Sequence, residues 1–281
     1  MSGLQTEVLA KQEVEVRTLL ETQSLTRRFG ALTAVDSLSL SIKPGEMFGL
    51  VGPNGAGKTT VLKMLTTLLP PTSGNAWVAG YDIVKHASSV RRVIGYVPQL
   101  VSADGGLTGF ENLLIFAKLY QIPRAEREQR IRDSLEFMGL AEVSEKLVRN
   151  YSGGMIRRLE VAQSMLHRPK VLFLDEPTVG LDPIARKAVW DHIRRLCSDF
   201  GTTFLLTTHY MEEADHLCDR VAIMHLGKVA AIGTPAELKA SIGGNGVTLE
   251  DVFVHYTGAG LDSGSSYREV SRTRRAARRL A

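Results

Sequence analysis

The chain has 281 residues, 44% hydrophobic and 23% charged, a balance that fits a globular protein of one large or two small domains. No run of about 18 apolar residues occurs, which argues against a membrane-spanning helix, and the first 17 residues carry Glu7, Glu13 and Glu15 with no apolar stretch, unlike a secretory signal. The net charge of +4 invites a nucleic-acid partner, but its distribution argues against one: six arginines against Glu269 give residues 268–281 a sum of +5 and leave the rest at −1.

After an N-terminal extension (1–17), residues 17–22 and 34–42 alternate apolar and polar positions, predicting an antiparallel sheet. Residues 47–51 form a short apolar run, as do 171–174, 203–207 and 221–224. Such runs predict strands buried on both faces of a mostly parallel sheet. Helical stretches separate them: 58–68 follows the first run directly, and 183–200 starts at Asp182-Pro183, an N-cap followed by proline at the first helical position. Alternating strands and helices predict an α/β core. Between about 100 and 168 only helical periodicity is found (110–120, 124–138 and 153–167), which predicts a helical insertion. Cys197 and Cys218 have neither metal-ligand nor Cys-x-x-Cys spacing, so two reduced thiols of a cytosolic protein are expected. Helices at 235–240 and 249–256, joined by Gly243-Gly244-Asn245-Gly246, make a C-terminal helical segment over 234–260. Residues 261–281 read as a basic flexible tail, either solvated or touching anionic lipid.

Gly52-Pro53-Asn54-Gly55-Ala56-Gly57-Lys58-Thr59-Thr60 lies between a strand and a helix. Glycines there let backbone N–H groups point at phosphate oxygens, and the helix N-terminus adds positive charge. Lys58 reaches the β- and γ-phosphates of a nucleotide, and the Thr59 hydroxyl takes one Mg²⁺ position. The run at 171–174 ends in Asp175-Glu176. Asp175 can hold Mg²⁺ through water, and Glu176 can polarise a water in line with the γ-phosphate. Adjacent buried acids need cationic partners, which Mg²⁺ and Lys58 would supply. Tyr151-Ser152-Gly153-Gly154-Met155 is a second glycine turn. Ser152 fits as the N-cap of the helix that follows, aiming that helix's positive end outward, towards a phosphate held by another molecule.

The cradle, the Ser-Gly-Gly turn and the Asp-Glu pair occur in the order seen in ATP-binding cassette (ABC) ATPases, and the chain resembles that family over about 18–233. The resemblance implies a P-loop ABC-type nucleotide-binding domain with a mostly parallel core sheet, an antiparallel β subdomain and a helical insertion. It implies further roles too. Gln99, in Gly95-Tyr-Val-Pro-Gln99, would contact Mg²⁺ on the γ-phosphate side and couple to a transmembrane partner. Asp182 would sit at a dimer interface, His209 would contact the γ-phosphate, and Phe29 would stack on adenine. Ser152, Gly153 and Gly154 would close the partner subunit's ATP site. Tyr151 stands where the family more often has leucine, and only local packing should change. The segment 248–258 and the Tyr-Ser-Gly-Gly-Met signature resemble the type-2 exporter group that includes daunorubicin-resistance ATP-binding subunits. That implies an ATPase using ATP and Mg²⁺, dimerised with a second copy or a paralogue and bound to a separate permease on the cytoplasmic face of the membrane. The alternatives are the ATPase of an importer, or a soluble cassette ATPase acting on ribosomes or DNA. A single cassette, with no long coiled coil between cradle and signature, argues against the latter.

Overall fold

A strand that is apolar at every position needs cover on both of its faces, and the central sheet is built around that requirement. The structure, a computed structural model, describes residues 18–243 and 246–258. The N-terminal extension, Gly244-Asn245 and residues 259–281, which include the whole basic tail, lie outside the described residues.

Strands β1 (Leu20–Phe29) and β2 (Leu32–Ile42) pair antiparallel, and β3 (Met47–Val51) leads into helix α1 (Lys58–Leu65). β4 (Ser73–Val78) and β5 (Tyr81–Asp82) complete a four-stranded antiparallel sheet in the order β2-β1-β4-β5. Then come α2 (Ala87–Val93), β6 (Ile94–Val97), α3 (Gly109–Leu119), α4 (Arg124–Phe137) and α5 (Gly153–Met165). They are followed by β7 (Val171–Asp175), α6 (Pro183–Phe200), β8 (Thr203–Thr208), α7 (Met211–Leu217), β9 (Arg220–His225), β10 (Lys228–Gly233), α8 (Pro235–Ala240) and α9 (Leu249–Thr257). The second sheet has the order β10-β9-β3-β8-β7-β6, parallel throughout except for β10.

Residue alternation along these strands feeds two cores. Phe48, Leu50, Phe173, Leu205 and Met224 face α1 and the antiparallel sheet. Met47, Val51, Leu172, Leu174, Phe204 and Leu206 face the helices. Burial of each such side chain contributes about 1.5–3 kcal/mol, so the sheet is the most expensive part of the fold to disturb.

The four apolar runs are strands, and α6 begins and ends where the sequence predicts. Asp182 caps it through the backbone N–H groups of Ile184 and Ala185, and Gly201 ends it in the left-handed region. No strand lies between β6 and β7 among the described residues, only an isolated bridge between Thr108 and Leu147. Other boundaries differ. β1 runs to Phe29 rather than to 22, because bulges after Thr22 and a positive φ at Ser24 break its alternation. Helix α1 stops at Leu65 rather than 68: the Thr66 hydroxyl donates to the Leu62 carbonyl and Thr67 turns left-handed. Strands β4, β5, β6 and β10 were not expected. β4 opens on an exposed Ser-Gly-Asn that reads as a turn, β6 is only four residues long, and β10 is a half-exposed edge strand.

One buried carboxyl ties two of these helices to the turn after β7. Glu213 in α7 is fully buried, and its Oε1 accepts hydrogen bonds from Thr178 Oγ1 (2.7 Å) and from Trp190 Nε1 of α6 (2.9 Å). Burial raises its pKa, only partly offset by those hydrogen bonds. A carboxyl raised in the folded state stabilises fully below its ordinary pKa and loses that contribution as pH rises through the folded value. Glu213→Gln, which stays neutral, should therefore match the wild type in acid and gain thermal stability relative to it as pH rises. A constant offset in unfolding midpoint across that range would refute the assignment. Glu213→Ala strands both donors and should cost about 1–3 kcal/mol for each.

Candidate active site

Strand register brings distant parts of the sequence to one edge. Val51 pairs with Thr208, Asp175 with Thr207 and Val97 with Leu174, so β3, β8, β7 and β6 end nearly level. The segments leaving those ends carry Gly52–Lys58, His209, Glu176 and Gln99. Open parallel sheets bind ligands outside the carboxyl ends of their strands.

The loop after β3 is held in a shape that few residues other than glycine allow. Gly57 has φ 105°, and a Cβ there would meet the Ala34 carbonyl at 2.4 Å; a Cβ on Gly52 would meet the Met224 carbonyl at 2.2 Å. Pro53 is half-buried, Asn54 and Gly55 form the exposed crest, and Ala56 is buried. Gly57, the N-cap of α1, offers no side-chain oxygen to the first turn, the end of a helix best suited to an anion. Thr60 is half-buried in that turn. Lys58 is 4% exposed. Its Nζ donates to the carbonyls of Gly52 (2.7 Å) and Pro53 (3.1 Å) and lies 3.4 Å from Glu176 Oε1. Burial lowers its pKa, and the Glu176 charge works against that.

Glu176 is the meeting point. Its backbone is left-handed (φ 47°), rare outside glycine and concentrated at functional sites. Its N–H donates to the Thr207 carbonyl (3.0 Å) and hydroxyl (3.1 Å), which fix that turn. Gln99 Nε2 donates to Oε2 at 3.1 Å, and His209 Nδ1 lies 3.2 Å from the same oxygen. Burial acts to raise the pKa, but His209 and the Lys58 charge outweigh it and hold the carboxyl below its ordinary value. Glu176 is thus a carboxylate at neutral pH, able to accept a proton or orient a water.

Asp175 Oδ1 accepts from Thr207 Oγ1 (2.6 Å) and Thr59 Oγ1 (3.0 Å). The phenol of Tyr96 is pushed up by burial and by the Asp175 charge. A threonine hydroxyl and a carboxylate at hydrogen-bond distance form a hard-oxygen donor pair. Among the described residues no group of three or more His, Cys, Asp or Glu forms a metal cage. Two protein oxygens with the remainder left to water and phosphate is how proteins usually hold Mg²⁺, so these residues fit that ion. Thr207 was not foreseen, although a threonine two residues before the histidine, at the end of a fully buried strand, is a signal in itself.

The other expected site residues stand apart from this cluster. Phe29 ends β1, 41% exposed, with the Arg27 guanidinium 4.6 Å from its ring centre. Ser152 and Gly153 are exposed at the start of α5, where the Ser152 hydroxyl accepts from the Met155 N–H at 3.3 Å. Gly154 is packed so closely on α6 that a Cβ would meet Ala185 Cβ at 2.9 Å. Asp182 caps α6 from an exposed position. Tyr151 is buried, and its hydroxyl donates to the Val143 carbonyl at 2.6 Å, the packing role expected of it. Cys197 and Cys218 are both free thiols.

Residues 35–179 match a family model described as ABC transporter. The daunorubicin/doxorubicin resistance ATP-binding protein DrrA of Streptomyces peucetius is 46% identical over 230 residues, 82% of this chain and 69% of that protein. The Nod factor export ATP-binding protein I of Ralstonia nicotianae is 45% identical over 220 residues, 78% of this chain and 68% of its own. A solved ATP-binding subunit of an ABC transporter superposes with a TM-score of 0.75 at 30% identity, covering 85% of this chain and all of that one. A family match that runs through the cradle, the Ser152–Gly154 turn and the carboxylate pair alike means that this chain belongs to the ATP-binding cassette transporter family, as an ATP-binding, ATP-hydrolysing subunit.

Proposed function

We propose that this subunit powers export: ATP draws two ATPase subunits together, hydrolysis releases them, and a separate membrane permease converts the cycle into transport. Relatives named for drug resistance and for Nod factor export support that direction. Among the described residues no helix is long and apolar enough to cross a membrane; in this proposal the permease holds the chain at the cytoplasmic face.

The observation that carries the reading is the ionised Glu176 held among Lys58, Gln99 and His209. The cradle from Gly52 to Thr60 binds the triphosphate, and Phe29 stacks on the adenine. Lys58 is a buried cation that a phosphate can recruit from its loop carbonyls. Thr59, Asp175 and Gln99 would hold Mg²⁺, which neutralises phosphate charge. Glu176 orients the attacking water and takes its proton, and His209 holds the γ-phosphate. The exposed, capped N-terminus of α5 suits a site shared between subunits, with Ser152, Gly153 and Gly154 facing the partner's nucleotide and Asp182 at the interface.

Glu176→Gln should lower turnover by about 10²–10⁴-fold while leaving ATP-dependent dimerisation intact; an unchanged steady-state ATPase rate would remove the base assignment. Ser152→Arg should abolish turnover with nucleotide affinity retained, measured by fluorescent nucleotide binding beside phosphate release. Retained turnover would count against a shared site. We assign the arginines of 268–281 to anionic lipid at about 1 kcal/mol per side chain. Deleting them should weaken flotation with anionic liposomes and spare ATPase activity, and equal flotation would end that reading.

A further inference from the structure

Arg157 and Glu160 stand three residues apart on α5, a spacing that usually marks a solvated surface pair. Here both are buried, with side-chain exposures of 7% and 1%, and Arg157 Nη1 lies 3.0 Å from Glu160 Oε2. Neither belongs to the nucleotide site. Their remaining polar atoms reach the segment that carries Gln99. Arg157 Nη1 donates to the Pro98 carbonyl at 2.8 Å, and Nη2 to the Gln99 carbonyl at 3.0 Å. Glu160 Oε1 accepts from the Ser102 backbone N–H and, at 2.9 Å, from the Ser102 hydroxyl. The two residues between these grips, Leu100 and Val101, are 81% and 61% exposed.

The grip continues on either side. The Ser164 hydroxyl donates to the Tyr96 carbonyl at 3.2 Å, and a Cβ on Gly95 would meet the Ser164 carbonyl at 2.5 Å. Gln163 Nε2 reaches Asn112 Oδ1 at 3.3 Å, and Asn112 in turn accepts from the Asp104 N–H at 2.9 Å and donates to the Asp104 carbonyl at 3.0 Å. One flank of α5 thus fixes the chain from β6 to residue 104, while its N-terminus presents Ser152 and Gly153.

We propose that Arg157 and Glu160 are a positioning pair that clamps both sides of the Gln99 loop, so that the place of Gln99 against Glu176 is set by the helix that carries the Ser-Gly-Gly turn. This rests on the role given above to Gln99 and Glu176. The planar fork of Arg157 fixes two successive carbonyls at once, which a point-charge donor cannot do. Glu160 balances that charge where an unpaired cation would be costly. Displacement of the loop and displacement of α5 are therefore linked: neither moves without breaking charge-assisted hydrogen bonds to two buried side chains.

The test is a double-mutant cycle on the full chain, with ATP turnover as readout. Arg157→Lys keeps the charge beside Glu160 and loses the fork. It should lower kcat by about 10- to 100-fold and leave KM for ATP within about twofold, with the unfolding midpoint nearly kept. Glu160→Gln should lower kcat in the same way, measured well below an unfolding midpoint that falls because the Arg157 cation is left unpaired. In a Gln99→Ala background, Arg157→Lys should cost less than about a further twofold, because both act through one group. Full turnover in Arg157→Lys, or the same loss repeated undiminished on top of Gln99→Ala, overturns the clamp. Gln99→Ala at the wild-type rate removes the reading of Gln99, and the clamp with it.

Discussion

Parallel pairing is what the site depends on. Each pair of neighbours among β3, β8, β7 and β6 is hydrogen-bonded in parallel, so their carboxyl ends face one way and the segments leaving them are neighbours whatever their distance in sequence. Val51 against Thr208, and Thr207 against Asp175, set the level within a residue. A one-residue slip of β7 would turn Asp175 to the opposite face and carry Glu176 away from Lys58. The double apolar core prevents such a slip, because Leu172, Phe173 and Leu174 would each exchange one packed environment for the other. The chemistry is thus specified largely by hydrophobic register.

Charge burial is the second constraint. Lys58 and Glu176 are both nearly inaccessible, and opposite charges in such a place gain from each other about what they lose in hydration. Their pairing is better understood as positioning than as stabilisation. Lys58 also has the carbonyls of Gly52 and Pro53, so a neutral side chain at 176 does not strand the ammonium. Glu176, by contrast, has Lys58, Gln99 and His209 converging on its two oxygens, and the Thr207 hydroxyl holds its left-handed backbone. The carboxylate is therefore the strained, over-determined member of the pair.

Much of this was legible in the sequence, and the exceptions have a common cause. The cradle, the Asp-Glu pair and α6 are local signals: glycine spacing, a strand's end, and Asp182-Pro183 ahead with Gly201 behind. β4, inside its sheet between β1 and β5, and β10, at an edge, have compositions that resemble turns or solvated chain, and only their pairing makes them strands. Glu213 in Met-Glu-Glu-Ala reads as one of two surface acids, yet Glu212 is exposed and Glu213 is fully buried. Arg157 and Glu160 read in the same misleading way. In each case the sequence displays the charge, and tertiary contacts alone show which charges are enclosed.

Why a buried ion pair should occupy the flank of α5, when apolar side chains hold helices in place elsewhere, follows from what lies opposite. The segment from Pro98 to Ser102 is loop, and its carbonyls and N–H groups need partners that no strand supplies. Leucines at 157 and 160 would pack the helix against the loop but leave the carbonyls of Pro98 and Gln99 and the N–H of Ser102 without the bonds they now make. Each would cost about 1–3 kcal/mol if it stayed buried, and the loop would relieve that cost by peeling off towards water. Arg157 and Glu160 satisfy donors and acceptors together and cancel each other's charge. The loop thereby stays seated on the helix while Leu100 and Val101 remain outside. A charged pair is the smallest set of side chains that meets both requirements at once.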